Sequence, residues 1–410
     1  MKMLSRKNLA KATALLIPFA AGLLLFVSTA DKSPSLRRNS DPTRRRLFGM
    51  GSLNFFDPKS VDLKDAGTFY SKIYDDKWKV ELFERLDRVR AMCGGLCAIN
   101  TAQQVAATAR YGARGDSINT NGANFPTVRM DVNCPNMLTM SEADAGDTTV
   151  PYPPPEELNE YYSLNGAIPL ELKKRWTDIY LEGEALVNVW SKELIDSQIE
   201  AAGKGTLEGS YKYIVACMID KLRRHLDLTG KSVLVIGSER PWVEVICLYL
   251  GAAKVTTLEY GKIETDHPQL QTMVPEEFRR RAAEGTLEQF DGILSHSSLE
   301  HSGLGRYGDA LNPWGDIIAA ARGWCVTKED GFMVLGLPTG KDKIHFNANR
   351  VYGKIRWPLV AANWYQIDGA DHRDTEFLEG EQKLEGDNGC GGGQIFIFRK
   401  AAEMIPIEGA

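Results

Sequence analysis

Short, wholly apolar segments alternate with segments of helical spacing in the second half of the chain. Four apolar segments predict strands: 233–237, 255–259, 290–295 and 331–337. Three segments with apolar positions at helical spacing lie between them: 242–250, 275–284 and 315–325. Strands that alternate with helices predict a parallel sheet with helices on both faces. Because the strands are apolar throughout, we expect both faces of the sheet to be covered.

The end of this region departs from the alternation. Residues 364–368 and 394–398 predict two further strands, and the connection between them is polar, glycine-rich and without a helical pattern. Two strands joined without a helix indicate an antiparallel hairpin. The predicted fold class is therefore α/β, with a Rossmann-like sheet over about residues 228–400 that ends in an antiparallel hairpin.

The first half of the chain has a different texture. Residues 66–92 and 156–228 carry apolar side chains at helical spacing, whereas the stretch between them is loop-like and ends in prolines at 151 and 153–155. Such a proline cluster forms a stiff hinge, and we place a domain boundary there. The predicted organisation is a helical and loop segment over 47–155, a helical extension over 156–227 and the Rossmann-like domain over 228–400.

The extreme N-terminus predicts insertion into a membrane. The run from Ala12 to Ala30 is apolar except for small polar residues, and four basic residues precede it. Such a run is typical of a signal sequence or a single membrane anchor. Its near-bilayer length favours a signal-anchor, followed by a basic stem to residue 46, with the body in the lumen of the ER or Golgi. A cleaved signal and a secreted protein are the alternative.

The charge distribution argues against a nucleic-acid partner. Residues 1–46 hold ten basic and two acidic residues, a net charge of +8, whereas the other 364 residues hold 39 basic and 52 acidic ones, a net charge of −13. Affinity for nucleic acid depends largely on neutralising phosphates. The expected partners are therefore a small-molecule or glycan substrate and, through the N-terminal segment, a membrane.

The chain has seven cysteines, too few for a small disulfide-stapled scaffold. Cys93, Cys97, Cys134 and Cys390 are candidates for one or two disulfides in a lumenal protein, and no zinc-ligand spacing is completed by nearby histidines. Three further cysteines have apolar neighbours in predicted helices and are expected in the core: Cys217, Cys247 and Cys325.

A strand, a turn and a helix start follow one another around Gly237. The glycine allows a ligand to approach the backbone closely, and Ser238 or Glu239 is placed to cap the helix, whose free amides can bind an anion. Glu259 closes the next strand, 22 residues after Gly237, where an acid hydrogen-bonds the ribose hydroxyls of an adenosine cofactor. An ordinary strand-to-helix turn is the alternative, because only one glycine of the usual G-x-G-x-x-G is present.

Residues 295–316 are the densest group of polar side chains and follow the strand 290–295. They therefore lie at the carboxyl edge of the sheet, where open α/β sheets bind ligands. We assign His301 and His296 as candidate general bases, with Tyr307 and Asp309 beside them at the reacting group. The further candidates are Ser295 for the cofactor, and Glu300, Arg306, Asn312 and, from the next loop, Arg350 for the substrate. Helix capping by Asn312 and a structural pair between Arg306 and Asp309 are the alternatives.

Several stretches carry a resemblance to a known family: VLVIGS from Val233, TTLEYG from Thr256, SSLEHSGLGRYGD from Ser297 and FNANRVYG from Phe346. They resemble the uncharacterised eukaryotic family called domain of unknown function 268 and, more distantly, class I S-adenosylmethionine methyltransferases, whose sheet also ends in a hairpin. On that resemblance Gly237 matches the glycine turn, Glu259 the ribose acid and 299–301 the L-E-H sequence after strand four. Some of those enzymes hold magnesium on E-x-x-E-H, but Ser297 replaces the first Glu here, and no metal site is predicted.

The resemblance implies transfer of a methyl group from S-adenosylmethionine to a polar small molecule or a glycan. One alternative is a catalytically silent binding module that kept the sheet and lost the cofactor loop. Another is a lumenal glycosyltransferase that uses a nucleotide sugar, although the paired aspartates typical of that class are not evident at a strand end.

Overall fold

The computed structural model describes residues 76–111, 126–144, 153–172, 187–211, 214–307, 309–368 and 394–400, all of which lie in one compact unit, Asp57–Ala410. The predicted membrane segment and basic stem lie outside these residues. Among the residues that are described, no helix combines the length and the apolar character needed to cross a bilayer.

The helices and strands follow one another along the chain in a mixed order. They are α1 Asp76–Cys93, α2 Gly95–Ala98, α3 Ala102–Thr108, β1 Ala109–Tyr111, β2 Pro126–Val128, α4 Cys134–Thr139, α5 Glu156–Ser163, β3 Leu170–Leu172, β4 Asn188–Trp190, α6 Lys192–Lys204, α7 Ile214–His225, β5 Ser232–Ile236, α8 Trp242–Tyr249, β6 Lys254–Leu258, β7 Ile263–Thr265, β8 Leu270–Met273, α9 Pro275–Ala283, β9 Phe290–His296, α10 Gly315–Val326, β10 Thr327–Leu337, β11 Lys343–Phe346, β12 Asn349–Val351, α11 Trp357–Val360, β13 Trp364–Asp368 and β14 Gln394–Lys400.

Seven of the strands form the main sheet, in the order β13-β14-β10-β9-β5-β6-β8. The pairs among β8, β6, β5, β9 and β10 are parallel, and β14 is antiparallel to both of its neighbours. Counted along the chain within this sheet, the strands lie in the order 3-2-1-4-5-7-6. This is a Rossmann-like sheet of the methyltransferase type with a C-terminal antiparallel hairpin, so the predicted fold class is confirmed.

Both faces of the sheet are covered, which explains why most of its strands carry apolar side chains on both faces. Val233 and Val235 pack in one core cluster with side chains of α6, α7 and α8, whereas Leu234 packs in another with side chains of α9, α10 and α11. Successive residues of a strand point to opposite faces, so each face needs its own apolar set.

The sequence patterns did not reveal every strand. β8 carries Gln271 and Thr272 between its buried ends, and this half-polar edge strand lacks the apolar run of the others. β4 was predicted as helix because Val189 and Trp190 fit helical spacing, but it pairs in parallel with β7. Pairing with a distant segment overrides local spacing there.

The N-terminal segment is not separated from the sheet by the predicted boundary near residue 155. The Cys134–Cys325 disulfide joins α4 to α10 across 191 residues of sequence. Arg322 of α10 donates to the carbonyls of Met137 and Met140 and pairs with Asp144 at 2.7 Å. These contacts between distant parts of the sequence explain why 57–410 forms one unit.

The disulfides include a cysteine that was not among the candidates. Cys93 pairs with Cys97, and Cys134 pairs with Cys325, which is buried in the core as predicted. Cys217 is also disulfide-bonded, whereas Cys247 is free and buried as predicted. Cys390 lies outside the described residues.

A buried ionic group holds the loop after β9 against the loop that contains β11 and β12. Arg356 donates to Asp316 through Nε at 2.8 Å and Nη2 at 2.5 Å, and the Tyr352 hydroxyl donates to Asp316 Oδ2 at 3.0 Å. Burial alone would raise the pKa of Asp316, but the neighbouring Arg350 and Arg356 outweigh it and lower that pKa. Asp342 completes the group by accepting the backbone amides of residues 353, 355 and 356. We call Asp316, Asp342, Arg350, Tyr352 and Arg356 the loop brace.

Removal of one charge from the loop brace should destabilise the fold strongly. Arg356→Met leaves the fully buried Asp316 without its bidentate partner, and breaking such a pair costs about 3–5 kcal/mol in free energy of unfolding. Urea denaturation followed by tryptophan fluorescence measures the change. Arg280→Met removes a solvent-exposed pair with Glu284 and should leave the midpoint unchanged. Equal midpoints for the two variants would show that the brace is not stabilising.

Cysteine replacement tests how the N-terminal segment is attached. Cys325→Ser opens a loop of 191 residues, and loss of a native disulfide typically costs about 2–5 kcal/mol. Cys93→Ser opens a loop of four residues and should cost less, because a short loop loses little entropy on closure. Thermal unfolding of both variants measures the difference, and peptide mapping of the wild-type protein without reductant should recover the disulfide-linked Cys134–Cys325 peptide. A larger loss in Cys93→Ser would contradict this account.

Candidate functional site

A cleft of about 680 Å³ opens at the carboxyl ends of β5, β6 and β9. The chain order of the sheet reverses between β5 and β9, and ligands of open α/β sheets bind at such a point. Ten of the predicted site residues line the cleft: Gly237, Ser238, Glu239, Glu259, His296, Glu300, His301, Arg306, Tyr307 and Asp309. The structure therefore brings the glycine turn, the strand-end acid and the loop after β9 to one place.

Gly237 is the point of closest approach between the turn after β5 and the loop after β9. Its φ of +76° lies in the left-handed region, and a side chain there would collide with the Ser298 hydroxyl, 1.7 Å from the Cβ position. Any residue with a side chain would suffer both the unfavourable φ and the collision, so glycine is required here. The turn lines the cleft, and its Gly237 and Ser238 amides donate within the protein, to the Leu258 carbonyl and to Glu259.

Glu259 spans the ends of β6 and β5. Its Oε2 accepts the Ser238 amide at 2.6 Å, and its Oε1 accepts the Tyr260 amide at 2.7 Å. Burial raises its pKa to about 7, although these amide bonds favour the ionised form. Each carboxylate oxygen has two lone pairs, so each can accept a further hydrogen bond from a ligand hydroxyl.

A second carboxylate, Glu244, lies under the same turn and was not predicted from the sequence. It is fully buried in the first turn of α8 and accepts the hydroxyls of Ser238 at 3.1 Å and Thr257 at 2.8 Å. Burial raises its pKa to about 7. The sequence does contain a sign of this role, because Glu244 is a single charged residue within the apolar helix 242–250. Burial of a charge there is costly unless the charge is hydrogen-bonded.

A smaller cavity of about 60 Å³ continues from the cleft past Glu259. Gly237, Tyr260 and Phe278 line it from the main domain, and Ala143 and Asp144 line it from the N-terminal segment. An adenosine cofactor fits this combination of groups, because an acid with open acceptor positions stands between a polar cleft and a cavity with an aromatic wall. The open glycine turn provides the remaining cradle.

His296 lies at the carboxyl end of β9, facing the cleft. Its ring is 7% exposed and stands edge-on to Trp242, with a centroid distance of 5.0 Å. It occupies the space that a side chain at Gly336 would need, 2.2 Å from the Cβ position. Neither ring nitrogen has a hydrogen-bond partner among the described residues. Burial lowers its pKa to about 4, so the ring is neutral at neutral pH.

Glu300 belongs to a short hydrogen-bonded chain that reaches the lip of the cleft. The Ser297 hydroxyl donates to Glu300 Oε1 at 2.8 Å and lies 2.9 Å from the Tyr211 hydroxyl. Ser297 has a φ of +52°, which is uncommon for a residue with a side chain. Burial raises the pKa of Glu300 to about 7, and its Oε2 has no partner among the described residues. Ser297 and Tyr211 were not predicted as site residues.

His301 follows Glu300 in the same 3₁₀ turn, Leu299–His301. Its Nδ1 lies 2.5 Å from the Ala348 carbonyl, which only accepts, so Nδ1 carries the proton and Nε2 is the bare nitrogen. Nε2 lies 3.7 Å from Glu300 Oε1. Burial and the charge of Arg306 lower the pKa of His301 to about 3. Tyr307 packs edge-on against this ring, and Arg306 lies over the Tyr307 face.

Four predicted site residues make contacts within the protein rather than toward a ligand. Asp309 is buried and accepts the amides of Gly303 and Tyr307, and Asn312 accepts the Trp314 amide at the start of α10. The Ser295 hydroxyl donates to the Ile236 carbonyl. Arg350 is fully buried and donates to the Ser302 carbonyl at 2.6 Å, so it supports the loop from below.

Solved structures that are similar to this chain include two described as methyltransferases and a fibrillarin with bound S-adenosylmethionine. A Burkholderia thailandensis 1,6-didemethyltoxoflavin-N1-methyltransferase has 15% identity and a TM-score of 0.32 and covers 50% of this chain and 87% of its own. A putative S-adenosylmethionine-dependent methyltransferase from Listeria monocytogenes has 12% identity and a TM-score of 0.30, with 44% and 96% covered. Fibrillarin from Aeropyrum pernix has 10% identity and a TM-score of 0.29, with 45% and 73% covered.

Among curated proteins, none matches the sequence. One family model does, and it spans the segment from the start of β5 to the connection before β14. This segment contains Gly237, Glu259 and the whole loop after β9. Residues 230–385 thus match the family described as Caenorhabditis protein of unknown function, DUF268, as the sequence motifs predicted.

Proposed function

We propose that this protein is an S-adenosylmethionine-dependent methyltransferase that acts on an oxygen nucleophile of a polar small molecule or glycan. The observation that carries the proposal is the placement of Glu259 beside the Gly237 turn at the point where the strand order reverses. Its carboxylate bridges the ends of two neighbouring strands and keeps open acceptor positions. The 3-2-1-4-5-7-6 sheet provides the same arrangement as the methyltransferase fold.

The cofactor would be held by the turn after β5 and by the end of β6. Glu259 would accept hydrogen bonds from the ribose hydroxyls, and Tyr260 and Phe278 provide the apolar wall beside it. When bound, S-adenosylmethionine supplies an electrophilic methyl group. The Gly237 turn leaves the backbone accessible between this wall and the larger cleft.

Glu300 is the group best suited to take the proton of the acceptor hydroxyl. Both histidines have pKa values lowered by burial, whereas burial raises the pKa of Glu300 to about 7, near the operating pH of a general base. His301 Nε2, 3.7 Å away, then orients Glu300 and accepts a hydrogen bond from its protonated form. The sequence-based assignment of His301 or His296 as the base stays untested, and we favour Glu300 on its raised pKa and on its Oε2, which has no partner among the described residues.

Cofactor binding should depend on the ionised form of Glu259. Glu259→Gln keeps the shape but weakens two charge-assisted hydrogen bonds, a loss of about 1–3 kcal/mol in binding free energy. Isothermal titration of the protein with S-adenosylhomocysteine measures it. Because burial raises the pKa of Glu259 to about 7 and bound hydroxyls favour the carboxylate, wild-type affinity should fall as the pH drops below 7 and level off above it.

Two results would count against this assignment. One is an affinity for S-adenosylhomocysteine that is the same in wild type and Glu259→Gln at pH 8. The other is an equal pH slope in the two proteins. Glu264→Gln, an exposed acid on β7 that pairs with Lys262, is the matched control and should bind as wild type does. Absence of any binding by the wild type would favour the silent binding module.

We further propose that the protein resides in the secretory pathway, held by residues 12–30. The disulfides Cys93–Cys97 and Cys134–Cys325 support an oxidising compartment, because such bonds are rare in the cytosol. Alkaline carbonate extraction of membranes from expressing cells should leave the full chain in the pellet. Release of a shortened chain into the medium would instead establish a cleaved signal.

A further inference from the structure

Two buried polar groups in the cleft have no hydrogen-bond partner among the described residues. They are the His296 ring, at both nitrogens, and Glu300 Oε2; these side chains are 7% and 1% exposed. A buried polar atom without a partner has lost its hydration without compensation, so such groups point to a ligand. Both line the same 680 Å³ cleft, and Ser297, with its left-handed backbone, lies between them in the sequence.

The two groups together need both donors and acceptors from a ligand. A neutral imidazole offers one donor and one acceptor on opposite sides of its ring, and a carboxylate oxygen offers acceptor positions. A hydroxyl group is both donor and acceptor, so neighbouring hydroxyls satisfy both groups whichever tautomer His296 adopts. An ammonium group only donates and leaves the His296 N–H unpaired. A phosphate or carboxylate only accepts and would face Glu300 with a like charge.

Aromatic rings stand beside these groups at the lip of the cleft. Tyr211 is 38% exposed, its ring centroid lies 5.7 Å from that of His296, and Trp242 packs on His296 from the other direction. The hydroxyl of Tyr211 is held by Ser297, which fixes the ring in place. A fixed, half-exposed aromatic ring next to hydrogen-bonding groups offers an apolar face to the ring of a bound ligand.

We propose that this part of the cleft binds an uncharged saccharide, with its hydroxyl groups on His296 and Glu300 and its ring against Tyr211. The inference rests on the proposed function only in treating this saccharide as the methyl acceptor. It deepens that function by selecting a neutral sugar from the broader class of polar small molecules and glycans.

Saturation-transfer NMR with the full chain tests this directly. The neutral probes are the methyl α-glycosides of glucose, galactose, mannose and fucose. The comparison probes are Nα-acetyl-lysine methylamide for an ammonium ligand, glucose 6-phosphate for an anion and N-acetylglycine methylamide for an amide. We expect at least one neutral glycoside to bind, and His296→Phe to weaken its binding about tenfold, as expected for loss of a buried hydrogen-bonding group. His296→Gln, which keeps a donor and an acceptor, should bind more tightly than His296→Phe.

The controls separate this inference from the cofactor assignment and from misfolding. His225→Phe changes a histidine on α7 whose side chain pairs with Asp368 and does not line the cleft, so it should bind the glycoside as wild type does. If His296→Phe does not fold, as judged by circular dichroism, Tyr211→Leu at the exposed lip carries the same expectation of weaker binding.

The inference is overturned if no neutral glycoside binds, if only a charged or amide probe binds, or if binding survives both His296→Phe and Tyr211→Leu. Titration with S-adenosylhomocysteine reports on the cofactor site separately. A protein that binds S-adenosylhomocysteine and no glycoside keeps the proposed function and loses this acceptor, whereas the reverse result keeps the saccharide site and removes the methyltransferase.

Discussion

The buried carboxylate of Asp316 is the constraint on which the cleft depends. The loop after β9 is long and glycine-rich, and its described residues form no regular structure beyond one 3₁₀ turn, so its shape depends on contacts with other elements. Arg356 and Tyr352, which follow β12 in the sequence, both donate hydrogen bonds to Asp316. Arg350 of β12 donates to the Ser302 carbonyl in the loop after β9. With Asp342, the loop brace contains two positive and two negative charges, so the buried group is balanced. The loop brace thereby holds the backbone next to the 3₁₀ turn that carries Glu300 and His301.

Burial sets the charge states of the titratable groups that line the cleft. The same desolvation that raises the pKa values of Glu259 and Glu300 to about 7 lowers those of His296 and His301 far below 7. Histidine, the usual choice for proton transfer at neutral pH, is here a neutral hydrogen-bonding group. The loop buries both kinds of group, so the pKa nearest to neutrality in it belongs to the carboxyl group of Glu300 rather than to a histidine.

The patterns that predicted the sheet are local, and those that failed depend on distant contacts. Six of the seven strands of the main sheet could be predicted from apolar runs, because a sheet covered on both faces requires apolar side chains on both. The seventh, β8, was not predicted because it contains the polar residues Gln271 and Thr272. Within the site, composition could not show which backbone amides each carboxylate would accept. Glu259 and Asp309 are both acids at the sheet edge, but the amides on Glu259 link the ends of two strands, whereas those on Asp309 belong to its own loop.

The cleft and the small cavity beside Glu259 reach beyond the segment that the family model matches. Ala143 and Asp144 line the small cavity, and Arg322 holds Asp144 in place through two bonds from Nη1 at 2.7 and 2.9 Å. The Cys134–Cys325 disulfide anchors the same segment to α10. Tyr211, at the lip of the large cleft, also precedes the matched residues. Residues 230–385 therefore do not form the whole lining of the cleft and its small cavity. Segments 134–144 and 205–211 complete it, one on each side. The oxidised disulfide is thus coupled to the shape of the binding site as well as to stability, because it fixes the start of one of these segments.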